Sequence, residues 1–465
     1  MRTLVYLKQT RFNFPASEVF QWHCRDGAFE RLTPPWQEAR IIDTVGEIED
    51  NGSIIIKTKI GPMWIKWKLK HAGFLNGRQF RDILIKGPFK YWNHLHNVIS
   101  DGPDSSVLED RIEFAMPFGI FGTIFGSPKV KRMLKSMFEY RHRVLQDDLT
   151  EHAKYTNPES LKILISGSNG LIGSTLTSFL RTGGHRVSRL VRSQSDMTST
   201  DIFWSPNKGI IKTSDLEGFD FVIHLAGENV ANGRWNSRSK DKILQSRVLG
   251  TKLLSETLAK LKTPPKALLC ASASGYYGNS GDTSVNEAHV LGDGFLPMVV
   301  QQWEQATKNA SDAGIRVINM RLGVVLNPRG GALKKMLTPF KLGIGGRIGT
   351  GEQYISWVTL DDVIGAMHHI MTGCDIQGPV NIAAPTPATN AEFTKHLARS
   401  LHRISIMPVP AFMIKLLFGD MGKETVLTST RMDSTKLISS GYRYKFANLG
   451  PALDHMLGTH AKHEL

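Results

Sequence analysis

The sequence predicts an α/β fold with a doubly wound parallel sheet, preceded by a separate α+β domain. From Leu161 onward, apolar strand patterns alternate with amphipathic helical patterns, as in parallel sheets. Before Asp147, short alternating runs are separated by turns instead. A polar stretch that ends in Asn157-Pro158 lies between the two parts and is typical of a joint. We therefore expect four segments: 1–150, a linker at 151–160, 161–384 and a tail at 385–465.

The composition is that of an ordinary globular protein, with 41% hydrophobic residues and a net charge of +15 over 465 residues. The positive charge is not gathered into a basic arm, so we expect no nucleic-acid partner. The three cysteines lie far apart and outside CxxC spacing, which favours a reducing compartment over disulfides. The N-terminus lacks a signal-peptide pattern, and no apolar run is long enough for a membrane span. We expect a cytoplasmic protein.

The first 150 residues are predicted to form an antiparallel sheet that wraps around a long helix. Strand-like alternation is found in Gly52–Ile60, Met63–Leu69 and Glu109–Ala115, and Pro128–Leu149 has helical spacing. Such a sheet forms a cup that suits an apolar ligand. The segments FNFPASEVFQWH (Phe12–His23) and TPPW (Thr33–Trp36) resemble the START-like (SRPBCC, polyketide cyclase/dehydrase) superfamily. This resemblance implies an α+β helix-grip fold for residues 1–150.

Two groups of side chains in this first segment have competing interpretations. One group is aromatic and either packs in the core or lines a ligand pocket, with packing favoured: Trp36, Trp64, Trp67, Phe89, Tyr91 and Trp92. The other is His94 and His96, which alternate on a predicted strand and so share a face. Because no third ligand is recognisable nearby, we expect solvated or hydrogen-bonded histidines and no metal site.

A glycine-rich loop opens the second part of the chain. The run LKILISGSNGLIGSTLTSFLRTGGHRVSRLVR gives a strand, a loop, an amphipathic helix and a second strand, which together predict a βαβ unit of Rossmann type. Gly167, Gly170 and Gly173 have the spacing that permits a tight turn, close approach of a pyrophosphate, and helix-on-strand packing. The helix N-terminus adds unpaired N–H groups. Nucleotide contacts are therefore expected from Gly167, Asn169, Gly170, Leu171, Ile172 and Gly173.

The end of the second strand indicates which nucleotide is bound. An NAD enzyme usually places an acidic residue here, whereas this chain has Val191 followed by Arg192. A guanidinium at this position can pair with the 2′-phosphate of NADP. We therefore expect NADP(H) rather than NAD, with a surface arginine as the alternative.

Later strands add further candidates for cofactor contact. Phe221–Leu225 reads as a buried strand that runs into Ala226 and Gly227, whose small size would let a cofactor lie across the strand end. Arg247 could reach a phosphate or lie on a helix surface. Arg321, Arg347 and Tyr354 are candidates for contact with a substrate anion or are structural.

The order of motifs from Leu161 to the C-terminus resembles the extended short-chain dehydrogenase/reductase superfamily, and more closely its atypical epimerase-like branch. The motifs are GxxGxxG, HLAGEN, SASGYYG, WE, RLGVVL and GGRIGTGEQYISWVTLDDV. The resemblance implies a Tyr acid/base, a Lys four residues later and a Ser or Thr. The expected YxxxK would fall within Phe295–Val300, which contains neither Tyr nor Lys, and Ala273 stands at the expected Ser position.

The catalytic candidates are therefore Ser272, Ser274, Tyr276 and Tyr277, and two interpretations stay open. In one, Tyr276 or Tyr277 acts as the acid/base of an oxidoreductase or epimerase whose small, apolar substrate is delivered by the N-terminal cup. In the other, these phenols pack beside the cofactor, and the chain binds NADP(H) as a regulatory protein without turnover. A sugar-nucleotide epimerase is a third possibility.

Overall fold

The computed structural model describes residues 2–117, 122–155, 159–231, 233–405 and 407–459. The chain divides into two compact units, one made of Met1–Ala153, Arg181–Gly184 and His455–Leu465, the other of Lys154–Leu180 and His185–Asp454. The predicted turn at Asn157-Pro158 lies outside the described residues. Among the helices of the described ranges, none is long and apolar enough to span a bilayer.

The first unit is built on a seven-stranded sheet in which every neighbouring pair is antiparallel, in the order β1-β7-β6-β5-β4-β3-β2. Its strands are β1 Leu4–Phe12, β2 Ala39–Val45, β3 Ser53–Ile60, β4 Met63–Leu75, β5 Gln79–Lys86, β6 Tyr91–Ser100 and β7 Ser106–Ala115. Its helices are α1 Ala16–Cys24, α2 Ala28–Leu32 and α3 Ser127–His152. The strands and the long helix predicted from the sequence are confirmed.

The core of this unit forms because α3 buries one helical stripe. Leu134, Phe138, Leu145 and Leu149 recur at helical spacing and are buried. The packing interpretation of the aromatic group is confirmed for three members, since Trp67, Phe89 and Trp92 contact one another with ring centroids 5.0–5.6 Å apart. Trp64 differs, because it is 42% exposed and lies under the guanidinium of Arg40.

The second unit contains an eight-stranded sheet in the order β11-β10-β9-β8-β12-β13-β15-β19, parallel except where β11 pairs with β10. The strands from residue 162 onward are β8 Lys162–Ser166, β9 Arg186–Val191, β10 Ile202–Ser205, β11 Ile210–Ile211, β12 Phe221–His224, β13 Ala267–Ala273, β14 Ser284–Val285, β15 Arg316–Leu322, β16 Val324–Leu326, β17 Tyr354–Ile355, β18 Trp357–Thr359, β19 Gly378–Ile382, β20 Ala388–Thr389 and β21 Arg431–Met432. The helices are α4 Leu171–Thr182, α5 Ser237–Leu258, α6 Phe295–Gln305, α7 Lys308–Asp312, α8 Gly331–Lys341, α9 Leu360–Thr372, α10 Asn390–Ser400, α11 Ala411–Phe418, α12 Thr435–Ser439 and α13 Leu449–Leu457.

Both faces of this sheet are covered, which explains why its strands are continuous apolar runs. Ile163 and Ile223 belong to one buried cluster, and their neighbours Leu164 and Val222 belong to the cluster on the opposite face. The predicted doubly wound α/β sheet is therefore confirmed.

The strand order reverses beside β8, and this reversal positions the candidate site. From β8 the chain continues outward through β9 and β10, then returns to β12 on the other side of β8 and continues through β13, β15 and β19. Ligands of such sheets bind outside the carboxyl ends of the strands at this reversal.

Segments of the tail are tied to the parallel-sheet unit by backbone pairing and by one buried carboxylate. Strand β20 pairs with β17, and β21 pairs with β14. Asp362, at the start of α9, is fully buried and accepts hydrogen bonds from the backbone N–H groups of Lys445 at 2.7 Å and Phe446 at 3.2 Å. Thr359 caps the same helix through the Asp362 N–H.

Candidate functional site

The glycine loop connects β8 to α4 at the point of strand reversal. Gly167 has φ +71°, and a Cβ built there would lie 2.7 Å from the Leu225 carbonyl carbon at the end of β12. A Cβ on Gly173 would lie 2.3 Å from the Gly167 oxygen and 2.8 Å from Ser168 Cα. Only glycine satisfies both positions, because backbone atoms cannot move aside as side chains can.

The remaining loop residues lie where a ligand could reach them. Asn169 and Gly170 are exposed, Leu171 and Ile172 are half-buried, and α4 begins at Leu171. A Cβ on Gly170 would meet nothing closer than the Gly167 oxygen at 3.2 Å. The loop therefore presents open backbone at a helix N-terminus, the arrangement that binds a pyrophosphate.

The two arginines at the end of β9 have different environments. Arg189 donates to Asp201, with Nε 3.0 Å from Oδ1, and Thr198 donates to the same carboxylate. Burial alone would raise the pKa of Asp201, but these hydrogen bonds lower it to about 2. Val191 is buried, whereas Arg192 is exposed and no hydrogen bond joins it to another described residue. The guanidinium of Arg192 is thus the one at this strand end that remains available to a ligand.

The end of β12 meets a cationic side chain from α5. Leu225 and Ala226 are half-buried, Gly227 is exposed, and a Cβ on Gly227 would lie 3.4 Å from Arg247 Cζ. The Arg247 guanidinium stacks on Trp303, 4.9 Å from the ring centroid. Burial lowers the pKa of Arg247 to about 10. A cation therefore lies beside the second strand end of the crevice.

A buried hydrogen-bonded pair, Ser166 and His224, lies at the ends of β8 and β12. His224 Nδ1 lies 2.6 Å from Ser166 Oγ, which also accepts a hydrogen bond from the Leu225 N–H at 3.2 Å. Burial lowers the pKa of His224 to about 4, so the ring is neutral. The pair links the ends of β8 and β12, which border the crevice.

At the end of β13, two of the four catalytic candidates are engaged in a buried network. Arg321 donates to both oxygens of Glu304 at 2.9 Å each, and Ser272 Oγ donates to the same carboxylate. The Tyr277 hydroxyl accepts from Arg321 at 3.1 Å and donates to Asn381 Oδ1 at 2.6 Å. Burial raises the pKa of Tyr277 to about 12. These hydrogen bonds fix the groups relative to one another. Arg321 is buried within the network, which fits the structural interpretation better than contact with a substrate anion.

The other two candidates are more accessible. Tyr276 is half-buried, and Arg321 Cζ lies 3.4 Å from its ring centroid. Ser274 is half-buried at the start of the turn Ser274–Tyr277. Within the described ranges, no hydrogen bond is made by the hydroxyl of Ser274 or Tyr276. These two hydroxyls remain able to contact a ligand.

Helix α6 faces this strand end with apolar side chains. A Cβ on Gly275 would lie 3.3 Å from Leu296 Cβ and 3.7 Å from Val300 Cγ2. Leu296 and Val300 are four residues apart, and Val300 is four residues before Glu304. Packed leucine and valine thus stand within the segment where the motif order called for tyrosine and lysine.

Several residues of the site were not found from the sequence. Glu304, read only as part of the WE motif, anchors the buried network, and Glu424 accepts from the backbone N–H groups of Phe295 and Leu296 at 3.2 and 2.8 Å. Glu424 thereby caps α6 from the tail. No local pattern signals either role, because each partner lies far away in the chain. Arg347 is exposed, and Tyr354 lies beneath the Arg431 guanidinium.

The parallel sheet with reversed strand order, together with a glycine loop at the reversal, defines a Rossmann-type nucleotide-binding protein. Residues 163–383 match the NAD dependent epimerase/dehydratase family, and residues 409–456 match a domain of unknown function (DUF1731). An epimerase family protein of Mycobacterium bovis is 37% identical over 293 residues, which cover 63% of this chain and 96% of that protein. The chain belongs to the NAD dependent epimerase/dehydratase family.

Two solved structures resemble the chain over different lengths. The nucleoside-diphosphate sugar epimerase from Corynebacterium glutamicum is 32% identical, with a TM-score of 0.80 over 97% of this chain and 90% of that one. The human epimerase family protein SDR39U1 (isoform 2), solved with NADPH, is 33% identical, with a TM-score of 0.59 over 64% of this chain and 99% of that one. The first therefore extends the likeness to the N-terminal unit.

Proposed function

We propose that the parallel-sheet unit binds NADP(H), with the pyrophosphate on the glycine loop and the adenosine 2′-phosphate on Arg192. The exposed Arg192 at the end of β9 carries this proposal, because the neighbouring Arg189 is already paired with Asp201. The NADPH bound by the human relative supports the choice of cofactor. In this arrangement, Asn169, Gly170, Leu171 and Ile172 border the pyrophosphate, and Gly227 and Arg247 border the other side of the crevice.

Titration of the full-length protein with NADPH and NADH tests the proposal. In Arg192→Ala, NADPH affinity should fall roughly 10- to 100-fold, because a charged hydrogen bond is lost, while NADH affinity stays the same. Arg186→Ala is the matched control, since Arg186 is exposed at the other end of the same strand. If neither nucleotide binds, or if Arg192→Ala weakens both nucleotides equally, the proposal is wrong.

We further propose that the chain is an oxidoreductase or epimerase that acts on a small molecule, with Tyr276 as the acid/base and Ser274 beside it. Bound NADP(H) supplies or accepts a hydride in such reactions. Tyr276 and Ser274 have unengaged hydroxyls, whereas Tyr277 and Ser272 hold Arg321 and Glu304 in place and act as positioning residues. The Corynebacterium glutamicum structure favours a sugar-nucleotide substrate among the alternatives.

A regulatory protein that binds NADP(H) without turnover is a second candidate, and one observation favours it. Leu296 and Val300 pack on Gly275, so no lysine from α6 can assist a tyrosine there. Incubation with NADPH and a panel of carbonyl compounds, and with nucleotide sugars followed by isomer analysis, separates the candidates. Turnover in either assay eliminates the regulatory one, and tight binding without turnover supports it.

For the N-terminal unit, we propose a START-like helix-grip domain that holds an apolar ligand. The antiparallel sheet, the long helix α3 and the exposed apolar side chains Ile60, Met63 and Trp64 around the β3–β4 turn support this proposal. The full-length protein is incubated with a total lipid extract, repurified and analysed by mass spectrometry. A retained apolar molecule in stoichiometric amount is the expected result, and an empty protein would count against the proposal.

A further inference from the structure

Strands β4 to β7 of the N-terminal sheet gather histidines and aspartates on one buried face. The strand register pairs His71 with Asp82, Asp82 with His94, and His96 with Asp110. Cross-strand partners point to the same face of a sheet, so all five side chains share the face on which they meet. The sequence showed no third ligand for His94 and His96, whereas two aspartates from neighbouring strands lie beside them. The expected hydrogen bonding is found for His94, whose Nε2 lies 2.8 Å from Asp110 Oδ1.

We propose that Asp82, His94 and His96 bind a divalent transition-metal ion. One ligand atom from each of the three residues lies within 4.8 Å of the others. Two imidazoles and one carboxylate are the donor set of many zinc sites and of iron(II) sites that keep open coordination positions. Zinc and iron(II) are therefore the ions to test.

The separation between two of these ligands suits a shared ion better than a direct contact. His96 Nε2 and Asp82 Oδ2 are 3.6 Å apart, which is too long for a hydrogen bond. Two ligands that each lie about 2.0–2.2 Å from one tetrahedral ion are roughly 3.3–3.6 Å apart. The structure thus holds these two atoms at the spacing that a metal ion requires.

Asp110 orients the two histidines from the side away from Asp82. Its Oδ1 lies 2.8 Å from His94 Nε2 and 2.8 Å from His96 Nδ1, and its Oδ2 lies 2.7 Å from His142 Nε2. A neutral imidazole has one donor and one acceptor nitrogen. A proton on His94 Nε2, directed at Asp110, leaves His94 Nδ1 as a lone-pair donor. A neutral His96 with its proton on Nδ1 has its lone pair on Nε2, which faces Asp82 Oδ2. A carboxylate behind the ligating histidine is the usual second partner in metal sites.

The carboxylate ligand is likewise held and is the most accessible member of the set. Asp82 Oδ1 lies 2.8 Å from His71 Nδ1, which leaves Oδ2 to face His96. The Asp82 side chain is 19% exposed, compared with 5% for His94 and 10% for His96. Asp82 is therefore the side of the cluster that solvent touches.

The experiment uses the full-length protein after chelator treatment. Calorimetric titration with zinc chloride, and with iron(II) under anaerobic conditions, should give one ion per chain. His94→Gln and His96→Gln should weaken binding at least 100-fold, and Asp110→Asn should weaken it about 10- to 100-fold, as for other second-layer carboxylates. His402→Asn removes an exposed histidine whose positive φ asparagine tolerates, and it should bind as the unmodified protein does.

Cobalt(II) substitution of the unmodified protein gives a test that does not depend on the variants folding. A visible spectrum of low-coordinate cobalt with nitrogen and oxygen ligands is expected, and zinc should displace it. The proposal is overturned if neither zinc nor iron(II) binds stoichiometrically, if cobalt shows only the spectrum of the hydrated ion, or if His96→Gln binds zinc as tightly as the unmodified protein. In those cases the cluster is a buried ion-pair network.

Discussion

Arg321 on β15 donates one hydrogen bond to each carboxylate oxygen of Glu304 on α6, at 2.9 Å each. Both side chains are nearly buried, with 3% and 13% exposed. Burial lowers the pKa of Arg321, but the Glu304 carboxylate more than offsets this and holds it above its ordinary value. The pair fixes α6 against β15, the strand beside β13, and the catalytic candidates lie at the end of β13.

Loss of this pair should destabilise the protein strongly. Arg321→Met leaves the Glu304 carboxylate buried without its partner, and we expect a loss of about 3 kcal/mol in the free energy of unfolding. Thermal unfolding measures it. The control is Lys308→Ala, which breaks an exposed pair with Asp312 and should cost under about 0.5 kcal/mol. Similar losses in both variants would contradict the role of the buried pair.

Tyr276 and Tyr277 should respond differently to loss of the hydroxyl. Tyr277→Phe leaves Asn381 and Arg321 each short of a partner, so we expect a loss of about 1–3 kcal/mol in stability with NADPH affinity retained. Tyr276→Phe should leave the unfolding temperature unchanged and remove turnover of any substrate that the panel identifies. Full turnover in Tyr276→Phe would exclude it as the acid/base.

Two glycines of the loop should separate folding from binding. In Gly173→Ala the new methyl would collide with backbone at 2.3 Å, so both the unfolding temperature and NADPH affinity should fall. In Gly170→Ala the nearest atom is 3.2 Å away, so stability should change by less than about 0.5 kcal/mol. NADPH affinity should still fall in Gly170→Ala, because the methyl lies in the path of the pyrophosphate. Unchanged NADPH affinity in Gly170→Ala would show that the pyrophosphate does not lie against Gly170.

His224 should make the stability of the protein depend on pH between about 6.5 and 4. Burial lowers its folded-state pKa to about 4, so the unfolded chain takes up a proton first as the pH falls. Above pH 6.5 the titration of His224 has no effect on stability. Below pH 6.5 the free energy of unfolding falls by about 1.4 kcal/mol per pH unit until the folded-state pKa is reached. His224→Gln keeps a hydrogen-bonding group near Ser166 but cannot titrate. Its unfolding midpoint should approach that of the unmodified protein as pH falls from 7 to 4.5, and a constant difference would contradict the prediction.

Much of the fold could be predicted because its strands, loops and helices are each encoded by contiguous residues. The run from β8 to β9 contains strand, glycine loop and helix in contiguous order, so local periodicity was enough to predict the βαβ unit. The long helix α3 followed from the spacing of Leu134, Phe138 and Leu145 for the same reason. For the site, the sequence predicted the glycine loop and Arg192 at the end of β9.

The amino-acid sequence by itself determined the alternating strands and helices of the doubly wound sheet, the glycine loop between β8 and α4, and the lack of Tyr and Lys within Phe295–Val300, because each depends on residues close together in the chain. The tertiary structure alone decided that Arg189 pairs with Asp201 while Arg192 is exposed, and that the hydroxyl of Tyr277, not that of Tyr276, is hydrogen-bonded to Arg321. It also decided that Asp82 and Asp110 lie beside His94 and His96, because strand register sets such contacts and no local pattern records it.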